Sequence, residues 1–136
     1  MEPLMFSSLA ISSSGLYAQR VRMDAIAANI ANADVAVDPK SREEPFSERL
    51  VLLAAGGSDG SPLGVHVAGV ESRQAFILRN EPWHPYADAD GFVKYADIDP
   101  VVQQANALLA ARNYDANLAA AQASKAMIEA AISLLA

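Results

Sequence analysis

The 136-residue chain contains no cysteine. Disulfides and thiol chemistry are therefore excluded, along with the commonest structural zinc sites. Histidine is almost as scarce. Only His66 and His84 occur, so a three-histidine metal site cannot be built, and no H-E-x-x-H pattern exists. No run of about 18 apolar residues is present, so nothing reads as a membrane-spanning helix. Basic residues are few and scattered, ten Lys and Arg against sixteen Asp and Glu, for a net charge of −6. Nucleic-acid binding needs clustered Lys and Arg, so no nucleic-acid partner is expected. The opening stretch carries Glu2 where a secretory signal has its basic region, and three serines interrupt its apolar run; a cleaved signal peptide is not expected.

Catalytic patterns are missing as well. Ser12-Ser13-Ser14-Gly15-Leu16 lacks the G-x-S-x-G of a nucleophile elbow, and GGSDGSPLG (56–64) lacks the GK[ST] ending of a phosphate loop. Asp88, Asp90, Asp97 and Asp99 invite a calcium reading. Setting Gly91 at the sixth position of an EF-hand loop, however, puts Tyr86 first and Asp97 twelfth, so both anchor positions fail. Turn and helix-cap roles account for these aspartates. Trp83 with Tyr86 could stack a ligand; such a pair more commonly covers a small core or a subunit contact. No catalytic set, metal site or cofactor is expected.

What the chain does have is a helical pattern at each end. Leu9, Leu16, Met23 and Ile30 recur every seven residues, interleaved with Met5, Ser12, Gln19 and Ile26. Near the other end Tyr114, Leu118, Ala121, Lys125, Ile128, Ile132 and Leu135 alternate four and three apart. Such spacing places side chains on one stripe of a helix. The first helix is predicted from about Ser8 to Ala31. The second runs from Pro100, behind Asp99 as N-cap, to about Leu135, with neither proline nor glycine after its first residue. Neither helix can bury its stripe alone; the two must pair with each other or with neighbouring copies, which points to assembly rather than catalysis. Gly15 within the first helix is either a tolerated weakness or a place where another helix comes close. Asn29 and Asn32 share a face among alanines. They mark either a fraying end or two amides that hydrogen-bond across a tight helix–helix contact and fix its register.

Between the helices the composition changes. Residues 35–45 read as an exposed, mobile loop. Strands are predicted at 46–53, 65–70, 76–78 and 91–95, with a flexible turn at 56–64. A segment of this size is marginal by itself and is expected to lean on the second helix or on neighbouring subunits. The fold expected is mainly α with a small β-rich insert, its long terminal helices pairing in a coiled-coil-like manner. Residues 1–34 and 99–136 form the helical part and residues 35–98 the middle.

Several of these stretches carry a family resemblance. SGLYAQ (14–19) and RMDAIAANIANA (22–33) resemble the N-terminal signature of bacterial flagellar rod and hook axial proteins. PYADADGFVKY (85–95), DPVV (99–102) and ARNYDAN (111–117) are similar to the C-terminal half of the proximal-rod members of that family. His84 departs from the pattern, which more often has asparagine there. The resemblance implies paired terminal helices in an inner tube with a small β-rich part outside. It also implies export through the flagellar type III apparatus and polymerisation with other copies and with proximal-rod, distal-rod and base-adaptor proteins. The terminal helices would be poorly folded before assembly, and the product would be a periplasmic shaft that transmits torque. The residues expected to pack in that assembly are Leu16, Met23, Asn29, Ile30 and Asn32 on the first helix, with Tyr114, Asn117, Leu118, Ile128 and Ile132 on the second. The rival readings are another rod or hook axial component, and a soluble helical adaptor or export chaperone.

Overall fold

The computed structural model describes residues 2–135, with side chains over 7–134. Met5 and Leu135, both placed on stripes by the sequence, lie outside the residues whose side chains are described. The element order is α1 (Glu2–Asn32), β1 (Glu48–Ala55), β2 (Val65–Arg73), β3 (Phe76–Asn80), β4 (Phe92–Ala96) and α2 (Pro100–Leu135).

Helix α1 begins six residues earlier than the sequence suggested. Pro3 falls in its first turn, where a missing backbone N–H is harmless. The helix closes when the Asn32 amide turns back to donate to Ala28 O at 2.8 Å and the backbone tightens through Ala33 N–H to Ile30 O. Helix α2 starts where Asp99 Oδ1 accepts from the N–H of Val101 (2.8 Å) and Val102 (3.3 Å), satisfying two otherwise orphaned donors.

The middle forms two separate antiparallel hairpins. β1 pairs with β2 from Glu48↔Arg73 to Ala55↔Val65, with a bulge between Leu52 and Leu53. Its turn closes through Gly56 N–H to Gly64 O, and both glycines take positive φ (91° and 89°), a region that side chains disfavour. β3 pairs with β4 from Phe76↔Ala96 to Asn80↔Phe92. Ala36 adds a bridge to Tyr95, and Val37 N–H donates to Lys94 O, so the stretch after α1 is tied to this second hairpin.

Helices α1 and α2 lie antiparallel and in extensive contact, and the first hairpin packs on α1. The buried apolar residues are mostly small: Ala18, Ala25, Ala33, Ala96 and Ala110, with Ile26, Val93 and Ile98 the larger aliphatic ones. Phe46 covers the cluster of Ala33, Ala96 and Ile98.

The expected fold class needs correction. Helix accounts for about half of the chain, and four strands form two separate sheets between the helices, so the molecule is a helix–strand–helix arrangement rather than mainly α. The helix contact is not built as a coiled coil of apolar knobs either. Its buried positions include Ser12, Asn29, Gln103 and Ser124, side chains too small or too polar for that packing.

Candidate assembly surface

The seam between the helices is set by close approach. A Cβ on Gly15 would stand 2.7 Å from Asn117 Nδ2 and 2.8 Å from its Cγ. Only glycine admits the asparagine at that separation, which answers the question its position raised. Farther along, Asn29 Nδ2 reaches Gln103 Oε1 at 3.3 Å. Moving from 29 back to 15 on α1 therefore matches moving from 103 forward to 117 on α2, a single antiparallel register.

Asn29, only 1% exposed, is the centre of a polar junction. Its Oδ1 accepts from Arg49 N–H (2.8 Å) while its Nδ2 donates to Arg49 O (2.9 Å), so one amide clamps the start of β1 as a neighbouring strand would. Gln103 Nε2 donates to Glu48 Oε1 at 2.7 Å, and Glu48 in turn pairs with Arg73 of β2. One contiguous network thus fastens α1, β1, β2 and α2. Buried polar groups are costly unless satisfied, so the network favours one register over its slipped alternatives. Asn32 behaves differently. Its amide donates back to Ala28 O of its own helix, so the two asparagines do not play the same part.

A second junction holds the other hairpin. The Tyr95 hydroxyl donates to Glu81 Oε2 at 2.9 Å, and the Arg79 guanidinium lies 4.4 Å from the centre of the Tyr95 ring. Arg79 also meets Asp34 at 3.0 Å, beyond the end of α1. Burial, and then the bond to the Glu81 carboxylate, push the Tyr95 phenol above its ordinary pKa.

The sequence-derived packing residues separate into three groups. Asn29 is buried in the junction, and Asn117 faces Gly15 in the seam. Leu16, Met23, Ile30, Asn32, Tyr114 and Ile128 are half-buried. Leu118 and Ile132 are 39% and 60% exposed.

What the sequence reading missed is a second apolar face on α2. Val102, Leu109, Met127 and Leu134 are 52%, 52%, 61% and 88% exposed. At roughly 100° per residue they fall on one strip, which flanks the face packed on α1 and is continued between them by Ala116, Ala120 and Ala123. The signal was available: Val102 and Leu109 are seven apart, Met127 and Leu134 are seven apart, and 18 residues, five turns, separate Leu109 from Met127. Gln103 and Glu48 were also missed, because a lone glutamine and a strand-edge glutamate carry no pattern. Asp88, considered for calcium, instead accepts from Asp90 and Phe92 N–H in a turn. Among the described residues no cluster of three or more His, Asp or Glu could hold a metal ion, and no helix is long and apolar enough to cross a membrane.

Residues 9–36, the stretch of α1 that carries Gly15 and both asparagines, match the family model for flagella basal body rod proteins. The flagellar basal-body rod protein FlgC of Aquifex aeolicus is 35% identical over 92% of this chain and 92% of its own length. The chain belongs to the FlgC family of flagellar basal-body rod proteins. Its relatives include FlgC of Bacillus subtilis, 32% identical over 95% of this chain and 97% of that protein, and FlgC of Salmonella typhimurium, 36% identical over 87% and 88%. As a FlgC-family member it is a structural subunit of the basal-body rod, and it assembles there with other rod components. In FlgC terms the described surface divides in two: the polar junctions fix the subunit's own shape, and the apolar strip of α2 is left over.

Proposed function

We propose that this subunit belongs to the proximal part of the rod and serves as one element of a periplasmic drive shaft that carries motor torque towards the distal rod and hook. Residues 1–34 and 99–136 line the inner tube and residues 35–98 face outwards. The chain leaves the cytoplasm through the flagellar type III apparatus and has mechanical rather than catalytic work to do. The packing residues in that role are Leu16, Met23, Asn29, Ile30, Asn32, Tyr114, Asn117, Leu118, Ile128 and Ile132, joined by the outer strip of α2.

The observation that carries this reading is that strip. An apolar strip on a helix surface is a face made to be covered. Helix α2 packs one face on α1 and leaves beside it an apolar strip, some 30 residues long, in water. Contiguous exposed apolar surface of that extent marks an interface. A cylinder of many copies supplies an interior for both faces, and an open head-to-tail lattice gives the cylinder its length.

The test is a pair of substitutions that leave the monomer alone, Leu109→Glu and Met127→Glu. Each should shift monomer stability by no more than about 0.5 kcal/mol, because the residue is exposed. Cells carrying both should still secrete the protein yet form no rod in isolated basal bodies and fail to swim. Normal rods and normal swimming would remove the strip from the interface.

A further inference from the structure

The turn joining β3 and β4 is built to hold one side chain out in water. Glu81 N–H donates to Gly91 O at 2.9 Å, Ala87 N–H to His84 O at 3.0 Å, and Asp88 Oδ1 accepts from two backbone donors of the same turn. Gly91, at φ 82°, lies so near Pro82 that a Cβ there would come within 3.1 Å of the ring. On this self-bonded platform sits Trp83, the chain's one tryptophan, 98% exposed. Tyr86 in the same turn and Phe92 at the start of β4 are partly exposed as well. The indole contributes nothing to the fold. Aromatic anchors on pre-ordered backbone are what interfaces use, because little entropy remains to be lost. The segment 81–91 carries Glu81, Asp88 and Asp90 and no Lys or Arg.

Elsewhere on the chain is a groove of the opposite character. Between α1, β1 and the start of α2, Arg22, Arg49 and Arg73 line a floor that includes Leu50, Leu52 and Val102. Glu48 answers Arg73, and Arg49 alternates to the other face of β1, its guanidinium 5.3 Å from the centre of the Phe46 ring, so Arg22 is the guanidinium left to the groove. On a chain of net charge −6, copies repel one another except where local charges match. We propose that the Trp83 turn of one copy docks in the groove between Arg22 and Arg73 of a second copy of this chain, its acidic rim against Arg22 and its indole on the apolar floor. The two surfaces differ, so the contact is heterologous and does not close on itself. Val102 belongs to both the groove and the outer strip of α2, which makes the two contacts continuous. The inference rests on the rod-subunit reading and names one of its lateral contacts.

The lone tryptophan is also the probe. The full-length chain is taken through a concentration series in low salt, following sedimentation velocity and tryptophan emission together. As larger species form, emission should shift to the blue and iodide quenching should fall over the same concentrations. High salt should reverse both changes. Trp83→Ala should leave the far-UV circular dichroism unchanged and raise the concentration needed for association about thirtyfold, the loss typical of a central aromatic anchor. Asp90→Arg and Arg22→Glu should each weaken association, and the double variant should recover it. Larger species whose indole stays fully quenchable would overturn the docking while leaving the rod reading intact. So would a Trp83→Ala chain that associates normally, or a charge-reversed pair without recovery. A wild-type chain that remains monomeric throughout would overturn the docking and count against self-assembly as well.

Discussion

Replacing Asn29 with alanine tests the internal architecture most directly. The substitution deletes three hydrogen bonds, two to Arg49 backbone and one to Gln103. Each is worth about 1 kcal/mol net, and the backbone groups left behind lose a partner at a site that water reaches only in part. The shortened side chain leaves a small void at a position that is 1% exposed. Together these give a loss of about 2–4 kcal/mol, a large share of the roughly 5–15 kcal/mol typical of a folded domain. With a urea slope of about 1–3 kcal/mol/M, the midpoint should fall by about 1–2 M. Asn29→Asp should do at least as much damage despite its equal size. It keeps the acceptor for Arg49 N–H but turns the donor into an oxygen facing Arg49 O. Gln103 could flip to donate to it only by turning its own oxygen on the Glu48 carboxylate. Asn32→Ala is the control. Its bond lies within its own helix, where alanine is the better helix former, so the change should stay within about 0.5 kcal/mol. The assay is urea unfolding of the purified chain by circular dichroism. If Asn29→Ala unfolds at the wild-type midpoint, or no lower than Asn32→Ala, the junction does not hold the fold.

Two further outcomes follow from the same geometry. Gly15→Val should cost about 1–3 kcal/mol by driving a branched side chain into Asn117, and Asn117→Ala in the same chain should recover part of the loss; additive losses in the double variant would contradict the contact. The Tyr95 phenol is raised in the folded chain, so the fold favours its neutral form. Stability from this group is complete below the unfolded-state value of about 10 and is lost as pH rises above it. Thermal melts between pH 8 and 11 should therefore show an alkaline decline that Tyr95→Phe reduces, and an unchanged decline would assign the effect to other groups.

How much of this was legible beforehand varies with the kind of signal. Both helices could be read from their periodicity, and α2 from the absence of any breaker after Pro100 together with the Asp99 cap. The hairpins were readable as four short runs between turn residues, but their extent was not: β2 continues to Arg73 through Glu71 and Ser72, which alternation does not mark. The fold class was not legible, because a repeat every three or four residues does not establish apolar packing. The side chains that meet are glycine with asparagine and asparagine with glutamine, and nothing in residue spacing says which of several faces of an alanine-rich helix its partner takes. The junction was half visible: Asn29 stood out as a poor helix residue, whereas its partners at 48, 49 and 103 are brought to it only by the tertiary fold.

The distribution of polarity inverts the usual order of a self-contained domain. Asparagine, glutamine and glutamate occupy the junction of helices and strands, while valine, leucine and methionine line the outside of α2. Polar contacts specify geometry well and stabilise little, since each net bond contributes about 1 kcal/mol against its lost hydration. Apolar burial does the reverse, at about 1.5–3 kcal/mol for a large aliphatic side chain taken fully out of water. Val102, Leu109, Met127 and Leu134 are roughly half to nine-tenths exposed, so covering all four contributes several kcal/mol, on the scale of the whole Asn29 network. The subunit therefore fixes its register by internal hydrogen bonds, and in the proposed assembly it gains further hydrophobic stabilisation when a neighbour arrives. Stability and assembly are then linked by mass action, with the chain least stable alone and most stable in the rod.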